Sequence, residues 1–130
     1  MNVIDCQRVS KGYRRTNVLE DVSFQLTDQK ITGLIGRNGA GKTTLLKILA
    51  GLTKHKSGEV NVFEKKPYNS LLVSANSILV DDQMTFPDSL TLEEILRSAP
   101  AFYKKWDTQL AVRLFQYFKL DSKQQHSKLS

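Results

Sequence analysis

Cysteine and long apolar runs are nearly absent from this sequence, and each absence excludes a class of protein. Cys6 is the only cysteine among 130 residues, so the chain can form neither an internal disulfide nor a cysteine-based metal site. No apolar run reaches the roughly 18 residues that a membrane-spanning helix requires. Polar side chains, Asp5, Gln7 and Arg8, interrupt the apolar positions near the N-terminus, unlike a signal peptide. We therefore expect a cytoplasmic protein in which Cys6 packs as a small side chain in a strand.

Dense clusters of like charge are also missing, although the chain is basic overall. The formal net charge is +6, with 40% hydrophobic and 25% charged residues, which is ordinary for one soluble domain with a core. Basic patches attract nucleic acid, but the lysines and arginines are scattered and accompany no aromatic-interleaved motif. We expect them to lie mainly on the solvated surface, together with His55 and His126, and we expect no nucleic-acid partner.

A glycine-rich segment at residues 36–43 carries the strongest functional signal. It matches the pattern G-x-x-x-x-G-K-[ST] at every fixed position, after an apolar run at residues 31–35 and before an apolar helical pattern. Glycines let the backbone curl so that several N–H groups point at one anion, and the following helix adds its positive N-terminal end. Lys42 is then expected to reach the β- and γ-phosphates of a triphosphate, and the Thr43 hydroxyl to bind its Mg²⁺. The alternative is a glycine-rich turn that opens an ordinary helix.

The remaining pattern predicts an α/β fold of strands and helices. Thr91 and Glu94 form a capping box, Asp107 can cap a further helix, and Gly51 is a helix stop. Turn chemistry is predicted over residues 10–17, with an exposed aromatic at Tyr13. Strands are predicted at residues 3–9, 18–26, 30–35, 59–63 and 77–80, and helices at residues 42–50 and 69–75 and from residues 91 and 107 onward.

This order of features resembles the ATP-binding subunits of ABC transporters, from their first strand to just before their signature motif. Residues 46–52 and 56–60 resemble the family's helix exit and next strand, and residues 90–96 resemble the start of its helical subdomain. The resemblance implies a P-loop NTPase fold with an N-terminal antiparallel β portion, a partial parallel core and the start of a helical subdomain. Residues 1–130 would form the N-terminal part of the ATP-binding domain, with the β portion and P-loop core at 1–90 and the helical start at 91–128.

The resemblance also implies a set of ligand contacts. Tyr13 stands where the family has an aromatic that stacks on adenine; a surface tyrosine is the alternative. Thr43 would bind Mg²⁺ together with a residue from a second loop, where the family has a glutamine. Gln83 is the candidate by residue type, whereas a count without gaps back from Leu90 places Asp82 at that position. The alternative is that both are loop residues without a metal role. The ATP contacts would be Tyr13, Gly36, Arg37, Asn38, Gly39, Ala40, Gly41, Lys42, Thr43 and Thr44.

Later motifs of the family are not present in this sequence. There is no complete Leu-Ser-Gly-Gly-Gln signature, although Leu129 and Ser130 match its first two letters, and no downstream strand ends in Asp-Glu. We therefore expect a truncated fragment with no catalytic residues of its own. The resemblance implies that the intact ATPase closes head to tail with a second ATP-binding domain. It would drive a transmembrane permease subunit from the inner face of the cell membrane.

Other functions remain open from the sequence. A small self-contained P-loop ATPase could use Asp81 and Asp82, after the apolar residues 78–80, as its second motif. That hypothesis gains if the strand ending at Val80 lies beside the strand before the P-loop. A non-transport ABC-type ATPase and a non-enzymatic nucleotide- or partner-binding module are further alternatives.

Overall fold

The structure, a computed structural model, describes residues 2–84 and 86–128. The chain divides into two compact units, Met1–Val80 and Asp81–Ser130. The predicted division into a core at residues 1–90 and a helical start at 91–128 stays a prediction. The two letters of the signature motif, Leu129 and Ser130, lie outside the described residues.

An antiparallel sheet of three strands forms the first unit. The strands are β1 (Asn2–Tyr13), β2 (Thr16–Thr27) and β3 (Ser57–Val62), in the order β2-β1-β3. The pairing register of β1 with β2 shifts between Cys6 and Val9. This bulge explains why apolar and polar residues alternate imperfectly there, because it lets two residues three positions apart both face the core. The strands at 3–9, 18–26 and 59–63 are thus confirmed in longer or slightly shifted form. The antiparallel β portion is confirmed with them.

The turn between β1 and β2 is much shorter than predicted. Strand pairing continues to Tyr13 opposite Thr16, so the predicted turn over residues 10–17 is wrong except at Arg14 and Arg15. Arg14 has a φ of 53°, the left-handed conformation that a tight hairpin requires. The polar sequence of this stretch is typical of turns, but ladder hydrogen bonds to the neighbouring strand extend it as a hairpin.

Two helices accompany the sheet. The first, α1 (Lys42–Leu49), buries Leu45 and Ile48 in the core formed by the sheet. It ends as predicted, because Gly51 adopts a φ of +77° and its N–H donates to the Ile48 carbonyl at 3.0 Å. The second, α2 (Leu71–Asn76), begins after Ser70, whose hydroxyl accepts the Val73 N–H. Both predicted helices are confirmed to within two residues.

Residues 30–35 and 77–80 are not strands, contrary to the prediction. Their apolar side chains are largely exposed; Ile31 and Ile35 are 104% and 96% exposed. A strand needs a neighbouring strand for its backbone hydrogen bonds. Within residues 2–84 and 86–128, the only strands are the three of the antiparallel sheet. The parallel pairing predicted beside α1 is therefore wrong for the described part of the chain. The pairing that would favour Asp81 and Asp82 as a second motif does not form there either.

The second unit is helical. Its helices are α3 (Leu92–Phe102) and α4 (Thr108–Tyr117), followed by a 3₁₀ turn at His126–Lys128. Thr91 Oγ1 accepts the Glu94 N–H at 3.3 Å, and Glu94 Oε2 accepts the Thr91 N–H at 2.8 Å. The Thr91 N–H, and the Thr91 hydroxyl that also donates to Glu94 Oε2 at 2.9 Å, lower the pKa of the Glu94 carboxyl. The Asp107 carboxylate accepts the Leu110 N–H at 2.9 Å, so both predicted caps are confirmed.

The segment at residues 121–127, which we call the return segment, closes the second unit. The N–H groups of Leu92 and Glu93, in the first turn of α3, donate to the carbonyls of Gln124 and Ser122 at 3.0 and 2.8 Å. The His126 ring contacts Phe86 edge to face at 5.6 Å, and its Nε2 accepts the Phe86 N–H at 3.4 Å. His126 is therefore partly buried, which corrects its predicted surface position.

Among the described residues, the helices are too short to cross a membrane.

Cys6 offers a chemical test of the core. It is 1% exposed on β1, as predicted, and burial, with a smaller contribution from the neighbouring Asp5 carboxylate, raises the pKa of its thiol to about 11. Only the thiolate is nucleophilic, and an unperturbed thiol has a pKa of roughly 8.5. At pH 8 we expect iodoacetamide to label Cys6 roughly two orders of magnitude more slowly in the native chain than in urea. Mass spectrometry of timed samples measures both rates, and equal rates would contradict the buried position.

Candidate functional site

Two glycines of the P-loop adopt backbone conformations that other residues avoid. Gly39 has a φ of +81° and Gly41 a φ of +90°, both in the left-handed region. A Cβ at Gly41 would lie 2.7 Å from the Val18 carbonyl oxygen and 2.8 Å from Leu19 Cδ2. The loop therefore approaches the backbone of β2 so closely that a side chain at position 41 would not fit.

The N-terminus of α1 presents free backbone donors. The first helical hydrogen bond runs from the Leu45 N–H to the Gly41 carbonyl at 2.9 Å, so the N–H groups of Lys42, Thr43 and Thr44 have no helical acceptor. The first turn contains no acidic residue. These donors and the positive end of the helix dipole favour an anion at this position.

An open cavity of about 340 Å³ lies against this helix end. Six of the ten predicted ATP contacts line it, whereas Tyr13, Gly36, Arg37 and Ala40 do not. Val18, at the start of β2, also lines the cavity and was missed by the sequence reasoning, because nothing in an isolated strand valine indicates a P-loop packed beside it. The lining residues are Val18, Asn38, Gly39, Gly41, Lys42, Thr43 and Thr44.

The Lys42 side chain is held by its own loop. Its Nζ donates to the Gly36 carbonyl at 2.6 Å and to the Arg37 carbonyl at 2.8 Å. An ammonium group has three N–H donors, so these two contacts leave one for an anionic ligand. Gly36 and Arg37 thus orient the lysine through their backbone oxygens, and their contact with ATP stays a prediction.

Tyr13 lies at the end of β1, opposite Thr16. Its side chain is 51% exposed, and the Lys11 ammonium lies 5.0 Å from the ring centroid. Because Thr16 begins the strand whose Val18 contacts the P-loop, the hairpin places Tyr13 at the end of the sheet that adjoins the cavity. Its contact with adenine stays a prediction.

The predicted magnesium ligands are divided between the two units. Thr43 belongs to the first unit, and Asp82 and Gln83 are exposed in the second. The Gln83 N–H donates to Asp81 Oδ1 at 3.1 Å, which orders this loop locally. Within the described ranges, no group of three His, Cys, Asp or Glu side chains could hold a metal ion. The choice between Asp82 and Gln83 stays open.

Sequence comparison places this chain among known proteins. Residues 19–130 match the ABC transporter family. The chain is 30% identical over 119 residues to the SkfA peptide export ATP-binding protein SkfE of Bacillus subtilis, covering 92% of this chain and 49% of that protein. It is 39% identical over 62 residues to the manganese transport system ATP-binding protein MntB of the same organism, covering 48% of this chain and 25% of that protein. The chain spans about half or less of the length of these curated relatives.

Solved structures agree with the sequence matches. The structure of an ATP-binding subunit of an ABC transporter superposes with a TM-score of 0.81 at 28% identity, covering 98% of this chain and 56% of that one. A dimeric ATP-binding cassette in a post-hydrolysis state, bound to ADP and Pi, superposes with a TM-score of 0.78 at 20% identity, covering 98% of this chain and 63% of that one. These likenesses confirm the α/β P-loop fold class, since the sheet and helices superpose on members of that fold. The chain therefore belongs to the ABC transporter family, within its ATP-binding domain.

Proposed function

We propose that this chain is the ATP-binding part of an ABC transporter, in which ATP binding and hydrolysis by the whole protein drive transport across a membrane. The observation that supports this most directly is the P-loop: two left-handed glycines, three free amides at the start of α1, and a lysine held at the same cavity. Family membership supports the nucleotide as ATP.

The chain's own groups supply the phosphate binding. The N–H groups of Lys42, Thr43 and Thr44 converge on the helix end, where the β- and γ-phosphates of ATP would accept them. The Lys42 ammonium neutralises the negative charge that these oxygens bring together, and it is already oriented by the Gly36 and Arg37 carbonyls. Preorganised donors of this kind stabilise the charge that develops during phosphoryl transfer.

The donor set also fits a magnesium ion accompanying ATP. Thr43 lines the cavity, and its hydroxyl offers an oxygen, the ligand type that Mg²⁺ prefers. Asp82 or Gln83 would supply a further oxygen from the loop at the start of the second unit. When bound, the ion would offset phosphate charge and polarise the γ-phosphate.

The partners of the whole protein follow from the same proposal. They are a transmembrane permease subunit and a second ATP-binding domain that closes head to tail. With these partners, the protein would lie in the cytoplasm at the inner face of the cell membrane. The dimer bound to ADP and Pi among the structural neighbours supports pairing of this kind. A self-contained ATPase using Asp81 and Asp82 is less supported, since the residues before that pair are not a strand.

Equilibrium binding and phosphate release by the 130-residue chain test the proposal. We expect Mg²⁺-dependent ATP binding, much weaker binding of adenosine, which lacks the phosphates, and negligible turnover, because the sequence has no downstream Asp-Glu strand. Equal affinities for ATP and adenosine would contradict the assigned phosphate site. Rapid Mg²⁺-dependent phosphate release would contradict the expectation that the catalytic groups lie outside this chain and would revive the self-contained ATPase.

A further inference from the structure

Lys11 contacts Tyr13, the residue predicted to stack on adenine, and is held in place by a hydrogen bond to the segment before β3. Lys11 and Tyr13 are two positions apart on β1, and a register shift falls between Lys11 and Gly12. The Lys11 ammonium lies 5.0 Å from the Tyr13 ring centroid and donates to the Lys54 carbonyl at 2.6 Å. A second hydrogen bond joins β1 to the residues before β3, because the Lys56 N–H donates to the Ser10 carbonyl at 2.8 Å.

These contacts restrict the tyrosine ring. Tyr13 stands beside a two-residue turn and is half exposed, so its side chain could otherwise change rotamer freely. A cation within about 6 Å of an aromatic ring is attracted to its face, and the Lys54 carbonyl keeps this cation from following the ring. With one face covered by the ammonium, the other face remains for a stacking partner.

We propose that Lys11 is a positioning residue for the nucleotide base: it holds the Tyr13 ring in the orientation in which adenine stacks on it. This inference rests on the proposed function, because it requires Tyr13 to contact the base. It adds a residue that lines no part of the phosphate cavity. Lys11 acts through Tyr13 and not on the phosphates, since its ammonium is directed to the ring and to a backbone carbonyl.

The test separates base binding from phosphate binding. The dissociation constants of ATP and of inorganic tripolyphosphate are measured at fixed Mg²⁺ and salt for the 130-residue chain and its variants. Lys11→Met keeps the aliphatic stem and removes the charge, Lys11→Arg keeps a cation, and Tyr13→Ala removes the ring. Lys54→Met is the matched control, because it removes a neighbouring charge while leaving the backbone carbonyl that Lys11 uses.

We expect Lys11→Met to weaken ATP binding roughly two- to five-fold, the effect of losing one exposed cation–π contact, and to leave tripolyphosphate binding unchanged. Lys11→Arg should restore ATP binding, and Lys54→Met should leave both ligands unaffected. In the Tyr13→Ala background, Lys11→Met should have no further effect on ATP. If Lys11→Met fails to fold, as judged by circular dichroism, Lys11→Gln gives the same comparison.

Failure of this inference is distinguishable from failure of the proposed function. If Tyr13→Ala weakens ATP binding and Lys11→Met does not, the positioning role is overturned and the stacking role of Tyr13 stands. If Lys11→Met weakens ATP and tripolyphosphate equally, Lys11 acts as a general charge and the inference is again overturned. If Tyr13→Ala binds ATP as tightly as the unmodified chain, base stacking itself is wrong, and the positioning role falls with it.

Discussion

Replacing Gly41 by alanine is expected to distort the phosphate site and destabilise the unit Met1–Val80. A non-glycine residue at a φ of +90° costs roughly 1–2 kcal/mol by itself. The added methyl group would also lie 2.7 Å from the Val18 carbonyl oxygen, a backbone atom of β2 that cannot move without disturbing the sheet. We expect the loop to shift away from β2, carrying the N–H groups of Lys42 and Thr43 out of position. ATP affinity should fall roughly tenfold or more, a loss of at least about 1.4 kcal/mol.

Gly39→Ala is the matched control for this substitution. Gly39 has a similar φ of +81°, but a Cβ there would meet no atom within 4 Å. It should therefore show only the conformational cost, roughly 1–2 kcal/mol, and a smaller loss of ATP binding. Urea denaturation measures stability, and titration with ATP measures affinity. Equal losses in the two variants would mean that the close approach to Val18 does not shape the site.

Removing the Lys42 ammonium is expected to weaken ATP binding strongly with little effect on the fold. Hydrogen bonds to charged groups contribute roughly 1.5–3 kcal/mol, so Lys42→Ala should lower ATP affinity by roughly ten- to a hundredfold. The side chain is only partly buried, and its ammonium donates to two loop carbonyls that water can satisfy after truncation. The denaturation midpoint should therefore change little.

Lys47→Ala provides the control for charge. Lys47 lies in the last turn of the same helix, so its removal changes the net charge equally but leaves the cavity intact. It should cost about 0.3–1 kcal/mol of stability, because a cation near a helix C-terminus is favourable, and leave ATP affinity unchanged. ATP binding that is equally weakened by both substitutions would indicate general electrostatic attraction, and unchanged binding in Lys42→Ala would remove its assigned role.

Features of the fold that depend on neighbouring residues could be predicted from the sequence. The caps at Thr91 and Asp107 are made with residues three positions away, and the helix end at Gly51 depends on its own backbone conformation. Local hydrogen bonding determines these features, so a short stretch of sequence contains all the information they need.

Features that depend on distant partners could not be predicted in this way. Residues 30–35 have the apolar composition of a strand, yet a strand forms only beside another strand, and composition does not reveal whether one is present. Conversely, the polar stretch at residues 10–17 pairs because its two halves continue a hairpin whose register is set elsewhere in β1 and β2. In both segments, the presence or absence of a pairing strand determined whether a strand formed, and the local composition did not.

The residues of the candidate site also divide into those that local sequence predicts and those that depend on distant partners. Fixed spacing predicts the P-loop glycines, Lys42 and Thr43 as the phosphate site, because the chemistry of a phosphate cradle requires those residue types in that order. Val18 and Lys11 escaped notice, because the first contributes by lying against Gly41 and the second by lying against Tyr13. Gly41 is distant from Val18 in the sequence, and Lys11, although only two positions from Tyr13, is held beside it by the distant Lys54 carbonyl.

The return segment has a consequence for how the helical unit forms during biosynthesis. The first turn of α3 donates to carbonyls of Ser122 and Gln124, which are translated after the whole of α4. At roughly 5–20 residues per second, about two to six seconds separate the emergence of the two partners from the ribosome. Until then, the nascent α3 has its capping box but lacks these acceptors, so these contacts form only after α4 has been synthesised.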